Sequence, residues 1–285
     1  MFISVVIPTY NLLEDCIKSL APTVQNPACN YEVIVSDDKV PSDTKKMIED
    51  KYSWALWVEG PHKGVAANRN NGVKFAKGDW IVFIDNDCIP DSNLINTYVE
   101  AIKNNPHIVA FEGCIKADRK RRHFLEEAPI NETGGLFWTC NVMIQKAYFE
   151  NVLHGFDENF YMYREDVDIR ERIKSDKQTI VFLINAFVIH PWRLQKNPVE
   201  MVKQQMVSYQ YFCSKHPYYF KKVSFSENIK NELRFYIKFV LLNLISFRGR
   251  GVIKYIKAHH VGNKYSKIEL NKSLDNTNNW TRFYK

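Results

Sequence analysis

Short runs of consecutive apolar residues alternate along this chain with stretches whose apolar positions recur every three or four residues. Residues 2–7 (FISVVI), 31–36 (YEVIVS), 54–58 (WALWV), 80–84 (WIVFI) and 108–113 (IVAFEG) are runs of the first kind. Each reads as a strand, and the five apolar residues in a row over 80–84 read as one covered on both faces. Between them, Leu12 to Leu20 places Leu13, Ile17 and Leu20 on one helical face. Ser42 reads as an N-cap for a helix through Lys51. Gly64 to Lys77 reads as a helix with Gly78 as its C-cap, and Ser92 to Asn104 as a helix stopped by Pro106. This alternation through residue 105 predicts βαβ units and a mainly parallel α/β sheet with helices on both faces. Farther on, residues 137–145 and 179–190 read as strands and Glu165 to Lys174 as a helix. Residues 116–135 read as a charged, irregular loop, and residues 155–163 as an aromatic one.

Composition adds a division of the chain. With 285 residues and 45% hydrophobic positions, one or two domains with a large core are expected. Residues 196–285 carry 17 Lys and Arg against 5 Asp and Glu, whereas the first 195 residues carry 22 against 27. Such a split suggests two regions with different jobs: a domain over 1–195, itself in halves of about 1–115 and 116–195, then a basic helical region over 196–285. The six cysteines have no metal-site spacing and read as buried thiols of a reducing compartment. No signal peptide and no apolar run of membrane-spanning length are expected.

The candidate chemistry lies in acidic residues at strand ends. The run Trp80–Ile84 leads into Asp85, Asn86 and Asp87, the second strand into Asp37 and Asp38, and Glu165 and Asp166 open a helix. Parallel strands bring their carboxyl ends to one edge of the sheet, where ligands of open α/β sheets bind. Carboxylates gathered there repel one another unless cations or hydrogen-bond donors lie between them. Hard oxygen ligands suit Mg²⁺ or Mn²⁺ bridging protein carboxylates and substrate phosphates. Asp, Asn and Pro are also turn formers, so a plain turn is the competing reading of residues 85–90. The P-loop, GxGxxG and GxSxG patterns are absent, which argues against P-loop kinases, nicotinamide dehydrogenases and serine hydrolases.

Six segments then occur in order: Val5–Asn11 (VVIPTYN), Ile34–Asp38 (IVSDD), Gly64–Gly72 (GVAANRNNG), Phe83–Cys88 (FIDNDC), Gly155–Phe160 (GFDENF) and Glu165–Ile169 (EDVDI). Together they resemble the inverting family 2 glycosyltransferases with the GT-A fold, over about residues 2–192. The resemblance implies a GT-A, Rossmann-like mixed sheet and transfer of a sugar from a nucleotide-sugar donor to a glycan or lipid-linked acceptor. It implies that Pro8, Thr9 and Tyr10 line the nucleotide pocket, that Asp37 or Asp38 contacts the base (usually uracil), and that Arg69 lies near the diphosphate. Asp85 and Asp87 match the DxD motif; Asp85 with Asn86 would hold the donor and Asp87 the metal, Mn²⁺ or Mg²⁺. Asp166 would be the general base, Glu165 a supporting acceptor, and His190 a late metal or diphosphate contact. Lys39-Val40-Pro41 and Asn68 depart from the small residues common at their positions in the family.

Other readings stand beside these. An acid at a helix start also favours the dipole, His190 could simply end a strand, and Trp138 could be core or stack on a sugar. Asp168 and Arg172 read as an ordinary helix pair, and Lys120 to Arg122 as a solvated loop or an acceptor grip. Asn231 to Arg250 places Leu233, Tyr236, Ile237, Val240, Leu241, Leu244 and Phe247 on one helical face. That face would pack on the chain or a dimer partner, or lie on an anionic membrane through residues 231–285. A cytoplasmic enzyme at the inner membrane face is the expected setting, with no specific nucleic-acid partner and a homo-oligomer left open. A catalytically inactive scaffold is the alternative function.

Overall fold

The computed structural model describes residues 1–11, 14–219 and 225–266. Along the chain run β1 (Phe2–Thr9), α1 (Glu14–Ser19), α2 (Pro22–Gln25), β2 (Asn30–Asp37), α3 (Asp43–Lys51), β3 (Leu56–Glu59), α4 (Val65–Phe75) and β4 (Trp80–Ile84). Then follow β5 (Ile89–Pro90), α5 (Leu94–Asn104), β6 (Ala110–Ala117), β7 (Glu126–Glu127), β8 (Asn141–Gln145), α6 (Lys146–Asn151), α7 (Glu165–Ser175), β9 (Ile180–His190) and β10 (Arg193–Leu194). The last elements are α8 (Pro198–Lys215), α9 (Phe225–Arg234), α10 (Leu242–Leu244) and α11 (Val252–Ser266), with a π-helical stretch over Phe235–Leu241. The chain divides into two compact units, residues 1–118 with 129–191 and residues 119–128 with 192–285.

The first unit is built on an eight-stranded sheet in the order β3-β2-β1-β4-β8-β6-β9-β5. The strands β3, β2, β1 and β4 are parallel, as the alternation predicts. β8 then enters antiparallel between β4 and β6, and β9 runs parallel to β6. The fold is thus a mixed, mainly parallel GT-A-type sheet. Side chains alternate across it because strand periodicity is two. Ile3, Val5 and Ile7 join one core with Ile17, Ile48, Leu94 and Tyr98 of α1, α3 and α5. Val6, Ile34, Ile81 and Phe83 join another with Val73, Phe149 and Ile173 of α4, α6 and α7. Each fully buried aliphatic of this kind contributes about 1.5–3 kcal/mol.

Some boundaries depart from the sequence expectation. Leu12 and Leu13 lie outside the described residues. Trp54 and Ala55 precede β3 in a turn, and β8 begins at Asn141 rather than 137, because Phe137 adopts a left-handed backbone (φ 56°). Gly78 is not the cap of α4, which ends at Phe75 with Ala76 as its extended C-cap. Glycine is needed at 78 for a different reason. A Cβ there would lie 2.6 Å from Ser4 N and 2.8 Å from Phe2 O, the backbone of the adjacent strand β1.

In the second unit α8 packs against α11 and β7 pairs antiparallel with β10. Arg121, expected in a solvated loop, is instead folded over aromatic rings. Its guanidinium lies 5.5–5.8 Å from the Trp192, Phe247 and Tyr255 rings and donates to the carbonyls of His123 and Phe124. The expected apolar face of Asn231 to Arg250 is also rearranged. Phe235, Val240 and Phe247 are buried, while Leu233, Ile237 and Leu241 are exposed. The π-helical stretch explains the change, since its i→i+5 spacing puts Phe235 and Val240 on one side. Among the described residues, no helix is long and apolar enough to cross a membrane.

Replacing Gly78 with alanine is expected to lower stability by about 1–3 kcal/mol, since the new methyl meets backbone that cannot swing away. Urea unfolding should show a lower midpoint with an unchanged m-value.

Candidate functional site

All the singled-out carboxylates belong to the first unit, and sheet register brings their strand ends together. Thr9 at the end of β1 pairs with Asp37 at the end of β2, and β4 lies on the other side of β1. β9 delivers His190 at its last residue, alongside Ala117 of β6. The two-residue strand β5 pairs with β9, Ile89 against Ile189, which carries the preceding Asp87 to His190.

Residues 85–88 form the turn that their composition suggests, with Cys88 N donating to Asp85 O at 3.0 Å. The turn aims its side chains in three directions. Asn86 reaches back to β1, its amide donating to Thr9 Oγ1 (3.0 Å) and Asn11 O (2.6 Å). Asp87 Oδ2 lies 2.9 Å from His190 Nε2, and both side chains are buried. Burial alone would hold the His190 ring neutral, but the Asp87 carboxylate outweighs it and shifts the ring toward its charged form.

Asp85 turns toward Arg69. This arginine projects from α4, whose start at Gly64 requires φ 94° and leaves no room for a Cβ, 2.3 Å from Tyr161 O. Arg69 is 2% exposed, and its two terminal nitrogens donate to Asp85 Oδ1 and Glu165 Oε1, each at 2.7 Å. Burial opposes its charge, but the two carboxylates prevail and hold the guanidinium protonated. Among the described residues, Arg69 Nε and Glu165 Oε2 have no hydrogen-bond partner.

Asp166 follows Glu165 at the first turn of α7, after Arg164 in a left-handed backbone (φ 74°). Its Oδ1 accepts from Val167 N at 2.7 Å. Desolvation, reinforced by the neighbouring Glu165 charge, raises its carboxyl from the ordinary 3.8 to about 7. Asp168 does form the expected pair with Arg172 (2.8 Å), and Arg172 also ties down the carbonyls of Leu153 and Gly155.

The end of β2 has two unlike aspartates. Asp37 is fully buried and accepts from Ser42 Oγ, from Lys39 N (3.1 Å) and from Trp57 Nε1 (3.3 Å). Asp38 is half-buried, accepts from His62 N at 2.9 Å, and burial pushes its carboxyl up. Asn68 donates to Thr9 O and Ser36 O, stitching α4 to both strand ends. Pro8 and Thr9 are buried and Tyr10 is exposed. Trp138 is partly buried against the core of the α5 face.

Sequence reasoning missed the polar frame around Glu112. Glu112, 2% exposed on β6, accepts from Asn131 Nδ2 (2.6 Å) and from the backbone N–H groups of Gly135 (2.6 Å), Leu136 (2.8 Å) and Phe137. Arg170 of α7 donates to the carbonyls of Gly135 and Leu136. The signal was available, because a lone carboxylate inside the apolar run IVAFEG needs donors around it.

A divalent metal would fit Asp87 and His190. A carboxylate oxygen and an imidazole nitrogen face each other there, buried, at the strand-end edge. Cys88 Sγ lies within 4.8 Å of the same atoms, but burial pushes its thiol well up, so it offers no thiolate.

Comparison with known proteins shows the family and the fold. The profile of the family described as "Glycosyl transferase family 2" matches residues 4–170. The glycosyltransferase AglE of Haloferax volcanii is 35% identical over 214 residues, 67% of this chain and 67% of AglE. A Campylobacter jejuni GalNAc(5)-diNAcBac-PP-undecaprenol beta-1,3-glucosyltransferase is 32% identical over 40% of this chain and 38% of its own. An Escherichia coli UDP-Glc:alpha-D-GlcNAc-diphosphoundecaprenol beta-1,3-glucosyltransferase, WfgD, is 29% identical over 36% and 42%. The chain spans 36% and 51% of two uncharacterised glycosyltransferases, from Haemophilus influenzae and Bacillus subtilis. Among solved structures, Staphylococcus aureus TarS 1-349 in complex with UDP-GlcNAc superposes with a TM-score of 0.55 at 18% identity, over 90% of this chain and 79% of TarS 1-349.

Arg69→Met is expected to cost about 3–5 kcal/mol, because Glu165 is left as a buried carboxylate without its cation. Urea unfolding of the variant against the parent chain measures this.

Proposed function

Since the chain belongs to glycosyl transferase family 2, we propose that it transfers a sugar, with inversion, from a uridine diphosphate sugar to a hydroxyl of a glycan or lipid-linked acceptor. The observation that carries this reading is the charge arrangement around Arg69. One guanidinium occupies Glu165 and Asp85, and the adjacent Asp166 is a carboxylate poised near neutrality with, among the described residues, no cation fixed on it at hydrogen-bond distance. The UDP-Glc in the name of WfgD and the UDP-GlcNAc bound by TarS support the choice of donor. The undecaprenol diphosphates in the names of two relatives support a lipid-linked acceptor.

Each residue of the site has a role in this proposal. Asp38, the more accessible of its pair, hydrogen-bonds the base, and Pro8, Thr9 and Tyr10 frame the nucleoside. Asp85, held by Arg69, and Asn86, held to β1, position the donor's ribose and sugar. Asp87 and His190 would hold Mn²⁺ or Mg²⁺, which when bound neutralises charge on the departing diphosphate. Asp166 accepts the proton of the acceptor hydroxyl as its oxygen bonds to the anomeric carbon and the bond to the diphosphate breaks. A single displacement needs one base, and Glu165 is kept from that task by Arg69. Trp138 offers a ring for stacking a sugar.

The test is transfer and hydrolysis of a panel of UDP-sugars with Mn²⁺. Activity is expected for the parent chain and a loss of at least about 10²-fold for Asp166→Asn, the usual scale of general-base catalysis. A chain that binds UDP yet turns over no donor would instead be a scaffold, and one that binds no nucleotide would sink the reading.

Asp166 also links pH to both rate and stability. The base works when ionised, so kcat/KM should rise with pH through about 7. Stability moves the opposite way. A folded-state pKa raised above the unfolded value of 3.8 means that the folded state holds its proton longer. Its contribution therefore falls as pH rises from about 4 to about 7. Asp166→Asn, which cannot ionise, should melt higher than the parent at pH 8 and alike at pH 4. Melting curves across that range check the sign.

A further inference from the structure

The second unit holds a cavity of about 460 Å³, inside the range of about 300–1,000 Å³ typical of small-molecule sites. Phe124, Leu125, Met201, Val202, Phe235 and Phe239 supply apolar walls. Phe235 is packed hard into this wall, stacked on Tyr255 and on the His259 ring. Nothing in the transfer chemistry described above uses this cavity.

Two cations line it as well, Arg234 and Lys238, four residues apart where α9 passes into the π-helical stretch. Among the described residues neither has a carboxylate partner. Lys238 lies only over the Phe239 ring, at 5.9 Å. The neighbouring Glu232 does not serve them, since His259 and Asn263 engage it. The one carboxylate in the lining, Glu127 on β7, accepts from Gln195 at 3.2 Å and disfavours an anion beside itself. An apolar cavity with two exposed cations on its lining, neither paired to a carboxylate among the described residues, suits a ligand with a hydrocarbon body and a compact anionic head. Phe239 lines the cavity and is 44% exposed, so the cavity is open to solvent along that wall.

We propose that this cavity binds a prenyl phosphate, with the first isoprene units among Phe124, Phe235 and Phe239 and the phosphate on Arg234 and Lys238. The choice of a prenyl over an acyl chain rests on the lipid-linked acceptor of the proposed function. The cavity itself does not, and its binding is measured apart from sugar transfer.

The experiment is calorimetric binding of farnesyl phosphate to the full chain, with farnesol and inorganic phosphate as comparison ligands and UDP binding measured alongside. Farnesyl phosphate should bind at least about tenfold more tightly than either comparison ligand, since charge-assisted hydrogen bonds to a phosphate are worth that much. Arg234→Gln with Lys238→Gln, at the cavity rim, should erase the preference over farnesol. Ala258→Trp, which fills the cavity from a wall that is 3% exposed, should abolish both. Unchanged UDP binding shows that the first unit of the variants is folded, and an unchanged far-UV circular dichroism spectrum shows the same for the helical second unit. Farnesyl phosphate bound no better than inorganic phosphate, or bound equally by the rim variant, would overturn the proposal. So would retention on phosphatidylglycerol vesicles without farnesyl phosphate binding, which would make the basic segment a membrane-surface contact. Failure of sugar transfer with intact prenyl phosphate binding would count against the proposed function alone.

Discussion

Arg69 carries a full positive charge where there is almost no water, and two carboxylates from distant parts of the chain hold it there. Asp85 comes from the end of β4 and Glu165 from the start of α7, and each lies 2.7 Å from the guanidinium. A buried ion pair of this kind is a weak source of net stability, but losing one partner is costly. Its value here is positional. The planar fork of arginine fixes two carboxylates at a set separation, which lysine could not do. Because Glu165 is fixed, the next residue, Asp166, is fixed with it. Because Asp85 is fixed, the turn through Asp87 is aimed at His190. The whole strand-end edge therefore depends on one side chain that touches neither Asp166 nor Asp87 at hydrogen-bond distance.

Much of the sheet could be read from the chain alone. Five apolar runs alternate with helices, and that alternation specifies parallel pairing and two covered faces. The antiparallel entry of β8 could not be read, because pairing direction is set by tertiary contacts rather than by the pattern within Asn141–Gln145. The acidic strand ends were equally visible, since Asp37, Asp85, Asp87 and Asp166 stand at the borders of apolar or helical segments. What joins them was not. Arg69 lies 96 residues from Glu165 and 16 from Asp85, and no local periodicity encodes a bond over such distances. The split within the Asp37-Asp38 pair was also hidden, because it depends on donors from Ser42 and Trp57.

The second unit shows how a correct pattern can give the wrong face. The apolar spacing of residues 231–250 fits an α-helix, yet the burial of Phe235 and Val240 follows a five-residue interval. One extra residue per turn rotates the stripe, and residues placed inside by α-periodicity come to lie outside. Arg121 makes the same point for charge. Three basic residues in a row read as a solvated loop, but its guanidinium sits over three aromatic rings because a weakly hydrated planar cation tolerates that environment.

Glu112 sets a limit on what the stretch around residues 135–137 can offer a ligand. Its carboxylate gathers the amide N–H groups of Gly135, Leu136 and Phe137, while Arg170 engages two carbonyls of the same stretch. Many sugar sites read hydroxyls through main-chain donors. This stretch has none left at those three positions. Under the proposed function, choice among acceptors there would fall to side chains and shape, with the peptide path held by Glu112 and Arg170.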